Sequence, residues 1–172
     1  IKELFSKNDR EGFYSWSGLR YFLYEYELYL QDNANMKVSW EDFNKRKKED
    51  TIEHIYPQSP NDIYWKNRFG HLKPSEKRQY LNSLGNLLLL NRSKNSKLQN
   101  YDFDKKKCLL NKDGKEIGYY NGSYSEIEVS KHKEWTPDEI KKRGLLMLQF
   151  MEERWKFSFD NWNISKEDIL FP

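Results

Sequence analysis

Four consecutive leucines, Leu87, Leu88, Leu89 and Leu90, constrain this chain more than any other feature. Mean hydropathy is −1.06, so an apolar run of this kind belongs in the interior. It suits a buried strand, although periodicity alone does not separate that from a helical segment. Gly85 and Asn86 precede it. Upstream, the short β-branched stretch from Thr51 to Ile55 is stopped by Pro57 and Pro60 and reads as a strand entering a loop. Hydrophobic residues are only 37% of the chain, but aromatics are 16%, and their large buried areas make a core feasible without many aliphatics.

The remaining patterns are mostly helical. Leu19, Phe22, Leu23, Tyr26 and Leu30 give an amphipathic helix from Ser15 to Gln31, broken by Asp32-Asn33-Ala34-Asn35. Pro74, with Ser75 and Glu76, starts a second helix that Gly85 ends as a C′ residue. From Ser93 the pattern is polar and helical to about Leu110. Lys112 to Lys115 form a turn, and the stretch to Val129 reads as loop with one short strand. Thr136-Pro137-Asp138-Glu139 is a capping box. Beyond it Ile140, Gly144, Leu148, Met151 and Trp155 share a helix face. The expected class is α+β.

A length of 172 residues fits one domain, or one domain with a helical appendage. No apolar run reaches the roughly 18 residues of a membrane span, and no secretory pattern is present. The single Cys108 excludes an internal disulfide framework and a Cys-rich zinc site, which leads us to expect a reducing, cytoplasmic setting. Because Ile1 replaces an initiating Met, we expect a C-terminal piece of a longer protein. A net charge of +3 is too mild to announce nucleic-acid binding. Its distribution says more: Lys45 to Lys48 precede Glu53-His54, and Arg92, Lys94, Lys97 and Lys105 to Lys107 follow the leucines. Arg92, Lys94, Lys97 and Lys106 are the candidates for phosphate contact.

Those basic residues bracket Glu53-His54-Ile55-Tyr56-Pro57, Asn86 and Asn95. An imidazole can take a proton from water if its second ring nitrogen has a partner. A carboxylate and a carboxamide oxygen suit Mg²⁺ or Mn²⁺ better than zinc. Neighbours on a regular strand face opposite ways, so Glu53 and His54 meet at one ion only if the strand end is twisted or bulged. His71 and His132 fit no such pattern and read as structural or solvent-facing, with His71 a reserve candidate in the loop over the site, and Asn100 reads as a cap or brace. Tyr119, Tyr120 and Tyr124 could stack on bases, although packing is the first reading.

Three segments carry a family resemblance: Glu53-His54-Ile55-x-Pro57, Leu84-Gly85-Asn86-Leu87-x-Leu89-Leu90, and Asn95-Ser-Lys-Leu-x-Asn100-x-x-Phe103-x-x-Lys106. Together they resemble the HNH, or His-Me finger, endonucleases. Within that superfamily the chain is most similar to the C-terminal nuclease domain of GmrSD-type, modification-dependent restriction enzymes. His-Ile-x-Pro-Gln-Ser and the nine-residue step from Asn86 to Asn95 also resemble the HNH domain of RNA-guided CRISPR nucleases. Arg20 to Glu27 is similar to the helix before the family's core, and Trp135 through Arg143 to its closing helix.

The resemblance implies a ββα-metal core at 51–110, an N-terminal helical flank at 1–50, and a C-terminal loop and closing helix at 111–172. It implies Mg²⁺- or Mn²⁺-dependent hydrolysis of DNA in restriction or anti-phage defence. His54 matches the general base, Glu53 and Asn95 the metal ligands, and Asn86 the residue that orients the base or supports its loop. Implied partners are DNA and an N-terminal ParB-like nucleotide-hydrolysing domain outside this chain; a homo-oligomer is compatible, a membrane is not. Two departures stand out: the acid is Glu where Asp is frequent, and the last motif residue is Asn instead of His. They keep open a non-catalytic nucleic-acid-binding or regulatory module on the same fold; the aromatic helices from Leu19 and Ile140 separately keep open a protein-interaction domain that docks partners through them.

Overall fold

The computed structural model describes residues 11–32 and 39–172. Two short antiparallel strands organise it: β1 (Asp50–His54) and β2 (Leu87–Asn91). Their register pairs Thr51 with Leu90, Ile52 with Leu89, Glu53 with Leu88 and His54 with Leu87. Helix α1 (Leu19–Leu30) and α2 (Trp40–Glu49) come before β1. Between the strands lie α3 (Ile63–Phe69) and α4 (Pro74–Asn82). Directly after β2 come α5 (Arg92–Leu98) and α6 (Phe103–Lys107). A minimal second sheet, β3 (Leu109–Leu110) with β4 (Glu116–Ile117), leads to α7 (Tyr124–Ser130), α8 (Pro137–Trp155) and α9 (Lys166–Leu170). The chain is therefore α+β, mostly helical, with two two-stranded sheets. None of the described helices is long and apolar enough to cross a membrane.

The leucine run is a strand because both faces of the β1–β2 sheet are covered. Side chains alternate along a strand, and here each parity enters a different core. Leu87, Leu89 and Ile52 pack with Phe13, Leu19, Phe22, Met147 and Ile169. Leu88, Leu90 and Ile55 pack with Tyr56, Trp65, Phe69, Phe103 and Trp135. A strand buried on both sides needs no polar positions, which is why the run is unbroken.

Several expectations shift on the structure. The first helix begins at Leu19, after a 3-10 turn over Gly12–Ser15. Asp32 is left-handed at φ 56, whereas residues 33–35 of the expected break lie outside the described residues. Gly85 is no C′ residue: α4 ends at Asn82, and Gly85 sits in a 3-10 turn over Leu84–Asn86. Its hydrogen lets α8 approach, since a Cβ there would lie 1.9 Å from the Ile140 carbonyl oxygen. The helix expected from Ser93 is two, separated where Gln99 takes φ 41. The stretch before Val129 contains β4, as expected, and also α7, capped by a Ser123–Glu126 box that its Gly-Ser-Asn-rich composition masked. Helix α8 starts at the expected Thr136–Glu139 box, with Pro137 in its first turn.

Candidate active site

The site begins with the strand and helix order β1–β2–α5. Asn95 lies one turn into α5, and its Nδ2 donates to Thr51 Oγ1 at 2.8 Å. Thr51 Oγ1 in turn donates to the Leu90 carbonyl at 3.2 Å. The helix is thereby tied across both strands. Thr51 and Glu53, two apart on β1, share a face, so Asn95 and Glu53 lie on the same side of the sheet. His54 faces the other side. The strand ends without the bulge that a shared Glu53–His54 site requires: His54 pairs with Leu87, and Ile55 N–H donates to the Asn86 carbonyl at 3.0 Å.

His54 is buried, with only 6% exposure. Its Nε2 lies 3.2 Å from Asn82 Oδ1. The Tyr14 ring packs against the imidazole at a centroid separation of 4.6 Å. Burial lowers its pKa to about 4; the Asn82 bond opposes this and the Lys106 charge adds to it. The ring is thus neutral at neutral pH and able to accept a proton.

Glu53, also buried, takes two hydrogen bonds on one oxygen, Oε1. Lys106 Nζ donates at 2.6 Å and the Tyr119 hydroxyl at 2.9 Å. Lys106 is fully buried and also donates to the His54 carbonyl at 2.9 Å. Burial pulls the Lys106 pKa down, while Glu53 pulls it back up. The expected surface phosphate contact of Lys106 gives way to this ion pair, because its ammonium is closed off from solvent. Tyr119 is buried too, its pKa pushed well up by burial and by Glu53.

Asn86 is fully buried and uses its whole amide on the loop after His54. Oδ1 accepts from Tyr56 N at 2.8 Å and from the Trp135 indole at 3.1 Å. Nδ2 donates to the Tyr56 carbonyl at 3.0 Å and to the Leu81 carbonyl at 2.9 Å. Asn86 therefore braces the loop, and the imidazole's partner is Asn82. The other phosphate candidates divide. Arg92 and Lys97 are exposed on α5. Lys94 is largely buried and bonds Glu126 at 2.6 Å and the Gly118 carbonyl at 2.9 Å. Lys45, Lys47 and Lys48 are exposed on α2. His71 is exposed, and His132 packs edge-on against Trp135.

A metal ion can be matched against these donors. Glu53 keeps Oε2 outside both of its bonds, and Asn95 commits its nitrogen to Thr51, leaving the carbonyl oxygen as a donor. Hard oxygens on one face suit Mg²⁺ or Mn²⁺ in kind. No group of three or more His, Cys, Asp or Glu side chains is gathered for a metal among the described residues. An ion there would complete its shell from water and phosphate oxygens, as Mg²⁺ commonly does.

The polar residues around this centre act as struts. Arg20 donates to the Asp50 carbonyl at 2.8 Å, fixing α1 to the start of β1. Glu27 accepts from Tyr124 N and Ser125 N, both at 2.8 Å, anchoring the first turn of α7. Arg143 is buried on α8 and donates to the carbonyls of Gly85 and Leu87, each at 2.9 Å, and so holds the turn that carries Asn86.

The family model for the C-terminal domain of GmrSD restriction endonucleases matches residues 1–150. That span holds the sheet, Glu53, His54, Asn82, Asn86, Asn95 and Lys106. The chain belongs to this family. No curated protein and no solved structure matches it. As a GmrSD C-terminal domain, it takes its place among restriction endonuclease domains, and the Arg20–Glu27 helix and most of α8 fall inside the matched span.

Proposed function

We propose that this GmrSD C-terminal domain is an HNH-type nuclease that hydrolyses DNA phosphodiester bonds with a divalent cation. The observation that carries the reading is a buried imidazole at the last residue of β1, next in sequence to Glu53, which shares the opposite face of the strand with Asn95. Base and ion would thus meet one phosphate around the strand's end. In this reading residues 51–110 form the ββα nuclease core, flanked by 1–50 and 111–172. Glu53 and Asn95 would hold Mg²⁺ or Mn²⁺, which supplies Lewis-acid stabilisation of the phosphate and of the leaving 3′ oxygen.

His54 takes a proton from the attacking water as that oxygen bonds to phosphorus and the bond to the 3′ oxygen breaks. An approaching phosphodiester anion raises the imidazole pKa, strengthening the base when substrate arrives. Asn86 keeps the Tyr56 backbone, and with it the loop after His54, in place. Exposed Arg92 and Lys97 contact phosphates; Lys94 reaches one only by leaving Glu126. We place the domain as the cytoplasmic effector of a restriction or anti-phage protein, working with an N-terminal ParB-like domain and open to acting as a homo-oligomer.

A second reading, a non-catalytic nucleic-acid-binding or regulatory module, is favoured by the Lys106–Glu53 ion pair, which already neutralises the carboxylate. Supercoiled plasmid incubated with the chain in Mg²⁺, Mn²⁺ or EDTA separates the two. Nicking with either metal and none in EDTA supports the nuclease; DNA retention that EDTA leaves unchanged, without nicking, supports the module.

A further inference from the structure

Asn82 belongs to none of the motif segments, yet its side chain lies within hydrogen-bond distance of the His54 ring. It ends α4, is buried at 8% exposure, and sets its Oδ1 3.2 Å from His54 Nε2. The surroundings fix this placement. Gly12, at φ 47, lies so close that a Cβ there would come within 3.1 Å of the Asn82 carbonyl oxygen. Tyr14, two residues on, covers the imidazole with its ring. Asn86 is the motif asparagine, but both of its amide atoms are committed to Tyr56, Leu81 and Trp135.

A carboxamide oxygen accepts and cannot donate, so the ring nitrogen bonded to it must carry the hydrogen. Nε2 then holds the proton and Nδ1 presents the lone pair. We propose that Asn82 is the positioning residue of this site: it holds His54 in the Nε2–H tautomer and orients Nδ1 as the proton acceptor. This rests on the reading of His54 as the general base. Asn82 acts on the chemistry through the His54 ring.

The test combines the imidazole ¹⁵N signals of His54 with plasmid nicking, for wild type, Asn82→Leu and Asn82→Asp. Wild type shows the Nε2–H pattern. Asn82→Leu removes the acceptor and loses that pattern, and its nicking rate falls about 10–100-fold while the DNA concentration for half-maximal rate stays put. Asn82→Asp retains an acceptor oxygen and restores both the tautomer and nicking to within about threefold of wild type.

An Nδ1–H pattern in wild type overturns the proposal, and so does an Asn82→Leu protein with unchanged tautomer and nicking. If Asn82→Leu fails to fold, wild type and Asn82→Asp decide it: both must show the Nε2–H pattern and comparable nicking. The ring signals need no turnover. A wild type that never nicks therefore refutes the nuclease reading, while the tautomer still decides whether Asn82 governs the ring.

Discussion

Lys106→Met tests the interior of the site in the most quantitative way. Methionine replaces most of the lysine stem and removes only the ammonium, so little cavity is created. What remains is the Glu53 carboxylate, buried and holding the Tyr119 hydroxyl as its partner. Lys106 supplies bonds of 2.6 and 2.9 Å from a fully buried nitrogen. Deleting one partner of a pair this deep costs about 3–5 kcal/mol, because the other charge stays behind uncompensated. Against a total domain stability of about 5–15 kcal/mol, that is a large fraction. With a urea slope of about 2 kcal/mol/M, the unfolding midpoint falls by about 2 M. The assay is tryptophan fluorescence in urea with EDTA. Adding Glu53→Gln to Lys106→Met removes the orphan charge and recovers at least half of the loss. Mn²⁺ at about 100 times its Kd then restores about 2.7 kcal/mol to the single variant, if the ion takes the vacated carboxylate. A single variant within about 1 kcal/mol of wild type, or a double variant no more stable than the single, refutes the buried-pair account.

Three further outcomes follow from particular contacts. His54 titrates near 6.5 when unfolded and near 4 in the fold, so the unfolded chain binds more protons between those values. The stability from keeping the ring neutral is complete above about pH 6.5 and lost as the pH falls to about 4, a change of about 3 kcal/mol; urea curves in EDTA should be correspondingly flatter for His54→Phe, and equal slopes would count against burial of the ring. Asn86→Ala leaves the Tyr56 backbone, the Leu81 carbonyl and the Trp135 indole without their partner, and should cost about 3 kcal/mol or more in urea unfolding, with faster amide exchange at Tyr56. Gly85→Ala puts a methyl 1.9 Å from the Ile140 carbonyl oxygen and should lower stability by about 3 kcal/mol or more; a neutral effect would mean that α8 does not pack on this turn.

The sheet and the longest helices were legible because their signals are local. The leucine run and the Thr136–Glu139 box each announce an element within a few residues. Helix α2 was read only as a basic run, since Phe43 is the one buried residue of its ten. The candidate site was legible at Glu53, His54, Asn86 and Asn95 through spacing and resemblance, and strand alternation already set Glu53 and His54 on opposite faces. Lys106 was singled out by the third motif segment, but as a phosphate contact: nothing local in Lys105-Lys106-Lys107 tells that its ammonium is buried against Glu53, a contact made 53 residues away. Asn82 and Arg143 were invisible for the same reason. Asn82 meets His54 28 residues away, and Arg143 meets the carbonyls of Gly85 and Leu87 58 and 56 residues away; such pairings leave no periodic trace in the sequence.

The measurement that bears most directly on the central claim is the rate of metal-dependent plasmid nicking by His54→Ala beside wild type, with both proteins folded by circular dichroism. The account predicts that wild type nicks and that the variant is slower by about 10²–10⁴-fold, the usual contribution of a general base. Equal rates in the two proteins, or no nicking by wild type with any divalent ion, would contradict it.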